Sequence, residues 1–239
     1  MAKKRRMRTL REEVERLRPD LEDVDAEIAA GHVLVRGVPT TNPRTRVQAG
    51  TSVVVREPKT LRGRVKLRAA LEAFDVPVEG RVALDAGASA GGFVQALLEA
   101  GARRVYAVEV GFGQLLGSLR QDPRVVNLER TNIGDLDQTL VPDAVEVVTL
   151  DLGYLALAVG VPQLNTLLVA DDADLVALVK PVAELGLATP PTEEERLDEA
   201  RRLAAEAIED AGWRVISSVP SPVRGSRGAI EMFIHARRA

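Results

Sequence analysis

Residues 80–93 read Gly80-Arg-Val-Ala-Leu-Asp-Ala-Gly-Ala-Ser-Ala-Gly-Gly-Phe93, and this stretch decides the fold. Its first half is a short apolar run, residues 81–84, typical of a buried strand that ends at Asp85. Its second half is a glycine turn that leads into a predicted helix at residues 94–100. In doubly wound α/β folds, ligands bind where such turns follow the carboxyl ends of parallel strands. The stretch therefore predicts a ligand site at the edge of a parallel sheet.

The alternation of strands and helices continues to the end of the chain. Further short apolar runs lie at residues 104–108, 125–128, 145–150 and 175–179, and helical or loop segments separate them. This order predicts a parallel, doubly wound sheet. A helix is predicted at residues 193–211. Two last apolar runs, 214–219 and 229–235, predict a terminal pair of antiparallel strands. The predicted fold class is α/β, a Rossmann-like sheet that is mostly parallel with a terminal antiparallel strand.

The first 57 residues have a different pattern. Residues 10–30 favour helix, and residues 31–37 and 51–56 favour strands, which together predict a small α+β domain. Glu57-Pro-Lys-Thr60 disfavours both helix and strand and marks a boundary. We therefore predict a first domain at residues 1–57, a linker at 58–65 and a second domain at 66–239.

The composition excludes several classes of protein. No apolar run approaches the ~20 residues that cross a bilayer, and the basic start lacks the apolar core of a signal peptide, so we expect a cytoplasmic protein without a membrane anchor. The chain has no cysteine and only two histidines, His32 and His235, so we expect no disulfide and no metal site. A net charge of -3 does not by itself indicate a nucleic-acid binder.

The residues around the glycine turn indicate which cofactor binds there. A glycine turn alone fits nicotinamide or flavin folds equally well. The carboxylate of Asp85 would repel a pyrophosphate, whereas it would attract the ammonium and sulfonium groups of S-adenosylmethionine. Glu109 ends the second strand and suits the ribose hydroxyls, and Asn132 follows the third strand where adenine would lie. Alternatively, Asp85 and Glu109 only cap helices or turns. The predicted cofactor contacts are Asp85, Gly87, Ser89, Gly91, Gly92, Phe93, Glu109 and Asn132.

Ionisable residues end two further strands and begin the last one. Asp151 and Lys180 follow the runs at 145–150 and 175–179, and Glu231 lies near the start of an antiparallel final strand. Parallel strands bring the first two to the edge that carries Asp85, and an antiparallel last strand brings Glu231 there too. A lysine between carboxylates can accept the proton of a hydroxyl that is being methylated. Alternatively, these residues form structural ion pairs at the rim of the sheet.

As a set, several stretches resemble the TlyA (hemolysin A) family of ribosomal RNA 2′-O-methyltransferases, whose catalytic domain is of the FtsJ type. The resemblance implies ribose methylation with S-adenosylmethionine, and ribosomal RNA or ribosomal subunits as partners. It also implies a lysine–aspartate–lysine–glutamate tetrad at Lys66, Asp151, Lys180 and Glu231, which adds Lys66 near the start of a helix. The stretches are residues 80–93, Arg104-Val-Tyr-Ala-Val-Glu-Val-Gly-Phe-Gly-Gln114, Asp122-Pro-Arg-Val-Val, Glu129-Arg-Thr-Asn132, Leu178-Val-Lys-Pro181 and Ser221-Pro-Val-Arg-Gly.

The first domain resembles, through Ile28-Ala-Ala-Gly-His-Val-Leu-Val-Arg-Gly37, a small RNA-binding fold found in a ribosomal protein and in pseudouridine synthases. In that fold the second helix is usually basic, but here residues 20–27 are rich in carboxylates that would repel phosphates. A basic tail and scattered arginines could compensate, or could simply be solvated. These residues are Lys3, Lys4, Arg5, Arg6, Arg8, Arg36, Arg44 and Arg46.

Three segments next to the tetrad depart from the family pattern. They are Leu61-Arg-Gly-Arg-Val before Lys66, Leu152-Gly-Tyr-Leu-Ala after Asp151, and Val182-Ala-Glu184 after Lys180-Pro181. Three functions are therefore open. The first is 2′-O-methylation of ribosomal RNA, the second is methylation of a small molecule, and the third is RNA or cofactor binding without catalysis.

Overall fold

We describe a computed structural model of the chain. The structure describes residues 7–19, 21, 23–29, 31–55, 61–153 and 155–238. The chain divides into two compact units, Met1–Thr60 and Leu61–Ala239, and each is described by itself.

The first unit is a small α+β module. Strands β1 and β4 form an antiparallel pair, and β3, β2 and β5 form a three-stranded antiparallel sheet. Apolar residues of both helices, with Val33 and Val47 from the strands, form its core. The elements are β1 (Met7–Thr9), α1 (Leu10–Leu17), α2 (Val24–Ala29), β2 (Val33–Val35), β3 (Val38–Pro39), β4 (Arg46–Gln48) and β5 (Val53–Val55).

The expected helix at residues 10–30 is two shorter helices. Helix α1 begins at a capping box, in which the Thr9 hydroxyl accepts from the Glu12 amide at 3.2 Å and the Glu12 carboxylate accepts from the Thr9 amide at 2.8 Å. Helix α2 begins only at Val24, so the acidic residues of 20–23 precede it. Of the predicted basic tail, Lys3 to Arg6 lie outside the described residues, and Arg8 is ion-paired with Glu13 at 2.9 Å.

The second unit is built on a seven-stranded sheet with the order β11-β12-β10-β9-β6-β7-β8. Five neighbouring strands, from β10 to β8, run parallel, and β12 is antiparallel to both β10 and β11. This confirms the predicted Rossmann-like α/β fold class. The elements are α3 (Arg62–Phe74), β6 (Val82–Ala86), α4 (Gly92–Glu99), β7 (Arg104–Glu109), α5 (Gly117–Arg120), β8 (Val125–Glu129), β9 (Val145–Leu150), α6 (Leu157–Gly160), β10 (Val169–Val179), α7 (Pro181–Glu184), α8 (Glu194–Asp210), β11 (Trp213–Pro220) and β12 (Met232–Arg238).

Both faces of this sheet are buried under helices. Successive residues of a strand point to opposite faces, so Leu84 packs toward α8 while its neighbour Ala83 packs toward α3 and α4. The central strands β6, β7 and β9 are mostly apolar and buried because helices cover both of their faces, which is usual for parallel sheets. This explains why the sequence shows continuous apolar runs rather than alternation.

Three segment boundaries differ from the sequence expectations. Strand β10 begins at Val169 instead of residue 175, because pairing with β9 and β12 extends it through the carboxylates of residues 171–174 that disfavour strands. The last strand begins at Met232 instead of residue 229, since residues 226–228 form a short 3-10 turn. Residues 62–65, expected in the linker, form the first turn of α3.

Helix α8 is the longest helix of the described residues, with 17 residues. Its exposed side is lined by pairs such as Arg196–Glu199 and Arg202–Glu206, and its alanines face the core. Within the described ranges, no helix combines the length and the hydrophobicity that crossing a lipid bilayer requires.

Candidate active site

A cleft of ≈ 650 Å³ opens at the carboxyl edge of the parallel strands. The chain passes from β6 outward to β8 and returns to the other side of β6 with β9, so the strand order reverses between β6 and β9. Such a switch point leaves a crevice between the two strand ends. The residues lining the cleft are Ala86, Gly87, Ser89, Val108, Glu109, Val110, Gln114, Thr131, Asn132, Ile133, Asp151, Leu152, Gly153, Leu155 and Lys180.

The first residue of the turn, Gly87, lies between the two strand ends. Its φ is +90°, and a Cβ placed on it would lie 2.4 Å from the carbonyl oxygen of Asp151. The amides of Gly87 and Ala88 both donate to the carbonyl of Val108, at 2.9 and 3.0 Å. Only glycine fits this position, because the backbone after β6 touches the backbone after β9.

The remaining predicted residues of the turn divide into two groups. Ser89 lines the cleft, and its amide donates to Glu109 at 2.9 Å. Gly91 and Gly92 allow close packing behind the turn, where an added Cβ would meet Leu119 at 2.2 Å or Gly63 at 2.8 Å. Phe93 is a core residue, 3 % exposed, whose ring lies 6.0 Å from that of Phe233. Gly91, Gly92 and Phe93 shape the turn but do not line the larger cleft.

Asp85 is completely buried, so its carboxylate does not line the cleft. Its Oδ1 accepts a hydrogen bond from the Thr149 hydroxyl at 2.8 Å, while Oδ2 has no hydrogen-bond partner. Burial, with smaller contributions from the nearby charges of Asp151 and Glu109, raises the pKa of Asp85 to about 8. The carboxyl group therefore lies behind the wall of the cleft and is mostly protonated at pH 7.

Glu109 does reach the cleft. Its Oε2 accepts from the Ser89 amide, and its Oε1 accepts from the Gly111 amide at 2.7 Å. A carboxylate has about four acceptor sites, so two remain for a ligand. Asn132 lines the cleft as well, and its side-chain oxygen caps a short 3-10 turn through the Gly134 amide at 3.3 Å.

Lys66 and Glu231 form a buried ion pair. Lys66 Nζ lies 2.5 Å from Glu231 Oε2, and the two side chains are 9 % and 6 % exposed. Helix α3 provides the lysine, and the residue before β12 provides the glutamate, so the bridge joins two elements that are 165 residues apart in sequence. The Lys66 side chain therefore reaches the sheet edge, as the sequence resemblance implies.

Lys180 and Asp151 form a second ion pair that is more open to solvent. Their side chains are 21 % and 25 % exposed, and both residues line the cleft. Lys180 follows Val179, which pairs with Met232, the residue after Glu231. The strand order therefore places Glu231, Lys180 and Asp151 side by side along one edge, and Lys66 joins them through Glu231.

Two useful signals were missed in the sequence. The chain has 27 arginines and five lysines, and Lys66 and Lys180 are the only lysines in the described part of the chain. An arginine side chain stays protonated in proteins. The few lysines of an arginine-rich chain are therefore candidates for a role in which a proton is exchanged.

The second missed feature is Glu184 on α7. Its carboxylate accepts from the amide of Leu157, the first residue of α6, at 3.1 Å. Burial raises the pKa of Glu184 to about 7. Leu152, Gly153 and Leu155, which precede α6, line the cleft, so Glu184 holds the start of α6 next to this lining. Among the described residues, no group of histidine and carboxylate side chains is arranged to hold a metal ion.

Solved S-adenosylmethionine-dependent methyltransferases have this fold. One is the 1,6-didemethyltoxoflavin-N1-methyltransferase of Burkholderia thailandensis, solved with bound S-adenosylhomocysteine. It matches with a TM-score of 0.51 and 19 % identity over 74 % of this chain and 78 % of that one. This likeness defines the fold as the Rossmann-like fold that these methyltransferases share.

The chain belongs to the FtsJ-like methyltransferase family, whose profile matches residues 60–238, and within it to the TlyA group. It is 40 % identical over 219 residues to the 16S/23S rRNA (cytidine-2′-O)-methyltransferase TlyA of Mycobacterium tuberculosis, covering 88 % of this chain and 81 % of that relative. A solved Streptococcus thermophilus protein, provisionally described as a hemolysin, matches with a TM-score of 0.72 and 28 % identity over 98 % of this chain and 89 % of that one. These matches confirm the predicted family.

Proposed function

We propose that this protein transfers the methyl group of S-adenosylmethionine to a ribose 2′-hydroxyl of ribosomal RNA. The observation that carries the proposal is the meeting of Lys66, Glu231, Lys180 and Asp151 at the sheet edge beside the cleft. The name of the Mycobacterium tuberculosis relative describes a ribose methyltransferase acting on 16S and 23S rRNA, which supports the same acceptor here. We expect the reaction to take place in the cytoplasm, where ribosomes are found.

The residues present fit this cofactor. Glu109 has free acceptor sites for two ribose hydroxyls, and Asn132 lines the part of the cleft beyond it. The unpartnered Oδ2 of Asp85 lies behind the turn, so a cationic ligand would be stabilised by the field of the ionised carboxylate. Both features suit a nucleoside that carries positive charge. When bound, S-adenosylmethionine supplies a methyl group on a sulfonium, which is the electrophile of the reaction.

Lys180 and Asp151 are the groups placed to act on the acceptor, because they are the more exposed pair and line the cleft. The ribose oxygen forms a bond to the methyl carbon as the carbon–sulfur bond breaks, and the hydroxyl loses its proton to this pair. Lys180 Nζ takes that proton while one of its own passes to Asp151. S-adenosylhomocysteine and the methylated ribose are the products.

Lys66 and Glu231 hold the arrangement in place. The pair is almost fully buried, so removing one partner would leave an uncompensated charge, at a typical cost of about 3–5 kcal/mol. We assign both residues to positioning of Lys180 and of the acceptor, since Glu231 is the neighbour of Lys180 across the β10–β12 pair.

Tritiated methyl transfer tests the proposal. The protein is incubated with tritiated S-adenosylmethionine and with ribosomal subunits from a strain that lacks the native activity, and the labelled RNA is digested to nucleosides. We expect label in a 2′-O-methylnucleoside. Absence of label from every subunit and from free ribosomal RNA would contradict the RNA acceptor.

Two variants separate chemistry from binding. Lys180→Met is expected to abolish transfer while leaving the affinity for S-adenosylhomocysteine within about threefold of the wild type. Arg214→Met, on the exposed start of β11, is the control and is expected to retain full activity. If Lys180→Met transferred methyl groups at the wild-type rate, Lys180 would have no part in the reaction.

A small-molecule acceptor is the second candidate. It is favoured by the apolar side chains of Leu152 and Leu155, which line the cleft next to Asp151. Loss of ribosome labelling in Lys180→Met, with labelling in the wild type, would rule it out as the main activity. Transfer to a small hydroxyl compound without any transfer to RNA would establish it.

A further inference from the structure

The loop between β11 and β12 lies against the carboxylate of Glu231. A Cβ placed on Gly225 would lie 1.9 Å from Glu231 Oε1, and the Ser221 amide donates to the Glu231 carbonyl at 2.9 Å. The loop is ordered by its own bonds, including Gly225 to Ala229 at 2.9 Å. Residues 221–228, which we name the arginine loop, are therefore fixed beside the tetrad.

The arginine loop presents two exposed guanidinium groups. Arg224 donates to the Gly228 carbonyl at 3.2 Å, and Arg227 donates to the Ala188 carbonyl at 3.5 Å. Ala188 lies shortly after Lys180 and α7, so Arg227 extends along the same edge. Each guanidinium has five N–H groups, and each uses one of them here. Four N–H groups of each remain available.

Arg62 lies on the helix that carries Lys66. It is in the first turn of α3, four residues before Lys66, so both side chains leave the helix on one face. Arg62 is exposed, and it lines a smaller cleft of ≈ 160 Å³ together with Gly87 and Asp151. Its side chain thus borders the reactive edge from the helix side.

These three arginines share a further feature. Arg62, Arg224 and Arg227 have no carboxylate partner within the described part of the chain. Most arginines of the second unit are ion-paired in the described residues, including Arg64 with Glu99, Arg68 with Glu72, Arg81 with Asp174, Arg104 with Asp143, Arg124 with Asp122, Arg201 with Asp198 and Arg237 with Asp174.

We propose that Arg62, Arg224 and Arg227 form a phosphate-binding surface that holds the RNA backbone on both sides of the ribose being methylated. This inference rests on the proposed RNA acceptor. A guanidinium binds phosphate with two parallel hydrogen bonds, and unpaired cations beside a cleft attract a polyanion even when the net charge of the protein is -3. In the first unit Arg8, Arg11 and Arg16 are paired with carboxylates, which leaves them less available to phosphates.

The salt dependence of RNA binding tests this surface. Binding of full-length wild-type protein and variants to unmodified ribosomal RNA is measured by filter retention between about 50 and 300 mM KCl. Over this range the release of counterions makes the affinity fall measurably with salt. The variants are Arg62→Gln, Arg224→Gln, Arg227→Gln and the triple variant. The control is Arg214→Gln, an exposed arginine at the start of β11 and at the other end of the β11–β12 pair.

The triple variant is expected to reduce the slope of log Kd against log salt by about 2, because each lost contact with single-stranded RNA removes roughly 0.7. Its Kd for RNA is expected to rise at least about tenfold, with no change in the Kd for S-adenosylhomocysteine or in Tm. Arg214→Gln is expected to match the wild type.

The outcomes distinguish this inference from the proposed function. If the wild type labels ribosomal RNA and the triple variant keeps the wild-type slope and Kd, the phosphate surface is wrong while the proposed function stands. If the wild type neither binds nor labels RNA, the RNA acceptor itself is wrong. Equal losses in the triple variant and in Arg214→Gln would show a general charge effect and would also overturn the surface.

Discussion

At the scale of single residues, the site depends on glycines that pack so closely that a Cβ atom would not fit. Gly87 allows the backbone after β6 to touch the backbone after β9, and Gly225 packs against the carboxylate of Glu231. Protein interiors pack closely, so added atoms at such points must displace a neighbour. At Gly225 the neighbour is a tetrad residue, which gives a direct test of the arrangement.

Gly225→Ala is expected to reduce methyl transfer by about 100-fold, the typical result of displacing a reacting constellation by about 1 Å. The new Cβ would lie 1.9 Å from Glu231 Oε1 and would push the carboxylate away from Lys66. Gly117→Ala is the control, because nothing lies within 4 Å of its Cβ position. The initial rate and Tm are measured for both. A Gly225→Ala protein with unchanged activity would contradict the contact.

The buried carboxyl group of Asp85 is expected to make cofactor binding depend on pH. With its pKa raised to about 8, Asp85 is mostly protonated at pH 7, and a cationic ligand favours the ionised form. Binding of S-adenosylmethionine should therefore release part of a proton at pH 7 and tighten from pH 6 to 8. Calorimetry in buffers of different ionisation enthalpy measures this release.

Asp85→Asn cannot titrate, so its proton release is expected to fall to the level contributed by the ligand itself. The same group affects stability. Its folded pKa lies above its unfolded value, so its contribution is full below about pH 4 and is lost as the pH rises through 8. Identical proton release by the wild type and Asp85→Asn would show that Asp85 does not sense the ligand.

At the scale of elements, the cleft is organised by pieces that the sheet holds in order. Helix α7 follows Lys180 directly, and Glu184 at its end binds the start of α6. The start of α6 is thus bonded to α7, close to the cleft-lining residues Leu152 and Leu155. A variant at Glu184 tests whether the hydrogen bond between Glu184 and Leu157 affects binding of the RNA acceptor.

Glu184→Ala is expected to raise the KM for RNA, because the Leu157 amide loses its acceptor and the segment lining the cleft loosens. Loss of a hydrogen bond to a charged group typically costs about 1.5–3 kcal/mol of stability. Glu184→Gln keeps an acceptor oxygen and is expected to keep wild-type kinetics. If Glu184→Ala left KM unchanged, this hydrogen bond would have no bearing on the acceptor.

Glu184→Gln is also expected to stabilise the protein more at pH 8 than at pH 5. Burial raises the folded pKa of Glu184 to about 7, so the wild-type contribution is full below about pH 4.5 and is lost as the pH rises through 7. Urea unfolding at both pH values measures the difference. Equal stabilisation at pH 5 and pH 8 would contradict the raised pKa.

At the scale of the whole second unit, the two ends of the sheet have different roles. The cleft lies at the carboxyl edge of the parallel strands. At the opposite end of the sheet, a cluster around the buried Asp174 connects neighbouring strands. Asp174, 1 % exposed, accepts from His235 at 2.7 Å, from Arg81 at 3.0 Å and from Arg237 at 3.1 Å. These contacts join β10 to β12 and to the residue before β6.

Asp174→Asn is expected to lower the free energy of unfolding at pH 7 by about 3 kcal/mol, because the Arg81 guanidinium and the buried His235 ring lose the buried carboxylate that both contact. The affinity for S-adenosylhomocysteine should not change. Asp172→Asn is the control, since the side chain of Asp172 is 77 % exposed and its ion pair contributes about 1 kcal/mol or less. Equal effects of the two substitutions would contradict the role of the buried cluster.

The same variant has a pH signature. Contacts with His235 and Arg237 outweigh burial and hold the pKa of Asp174 below its usual value. A lowered pKa gives stability that is present above the unfolded pKa, near pH 4, and is lost as the pH falls. The difference between the wild type and Asp174→Asn should therefore shrink below pH 4, which unfolding experiments at pH 7 and pH 3 measure.

The sequence by itself determined the class of fold and the identity of the edge that carries the site. Continuous apolar runs, each followed by a polar residue or a glycine turn, specify a parallel sheet whose strand ends converge. For this reason the sequence alone predicts Glu109, Asp151 and Lys180 at one edge of the sheet. The family resemblance added Lys66, which no strand pattern indicates.

Only the tertiary structure decided the burial and the contacts of each of these residues. Asp85 is buried behind the turn, Gly91, Gly92 and Phe93 are closely packed, and the Lys180–Asp151 pair is more exposed than the Lys66–Glu231 pair. These outcomes depend on contacts between segments far apart in the chain, such as Gly225 with Glu231. A local sequence pattern determines where a strand ends. The burial of a side chain, its ion pairs and its pKa depend on residues that are distant in sequence and close in the fold.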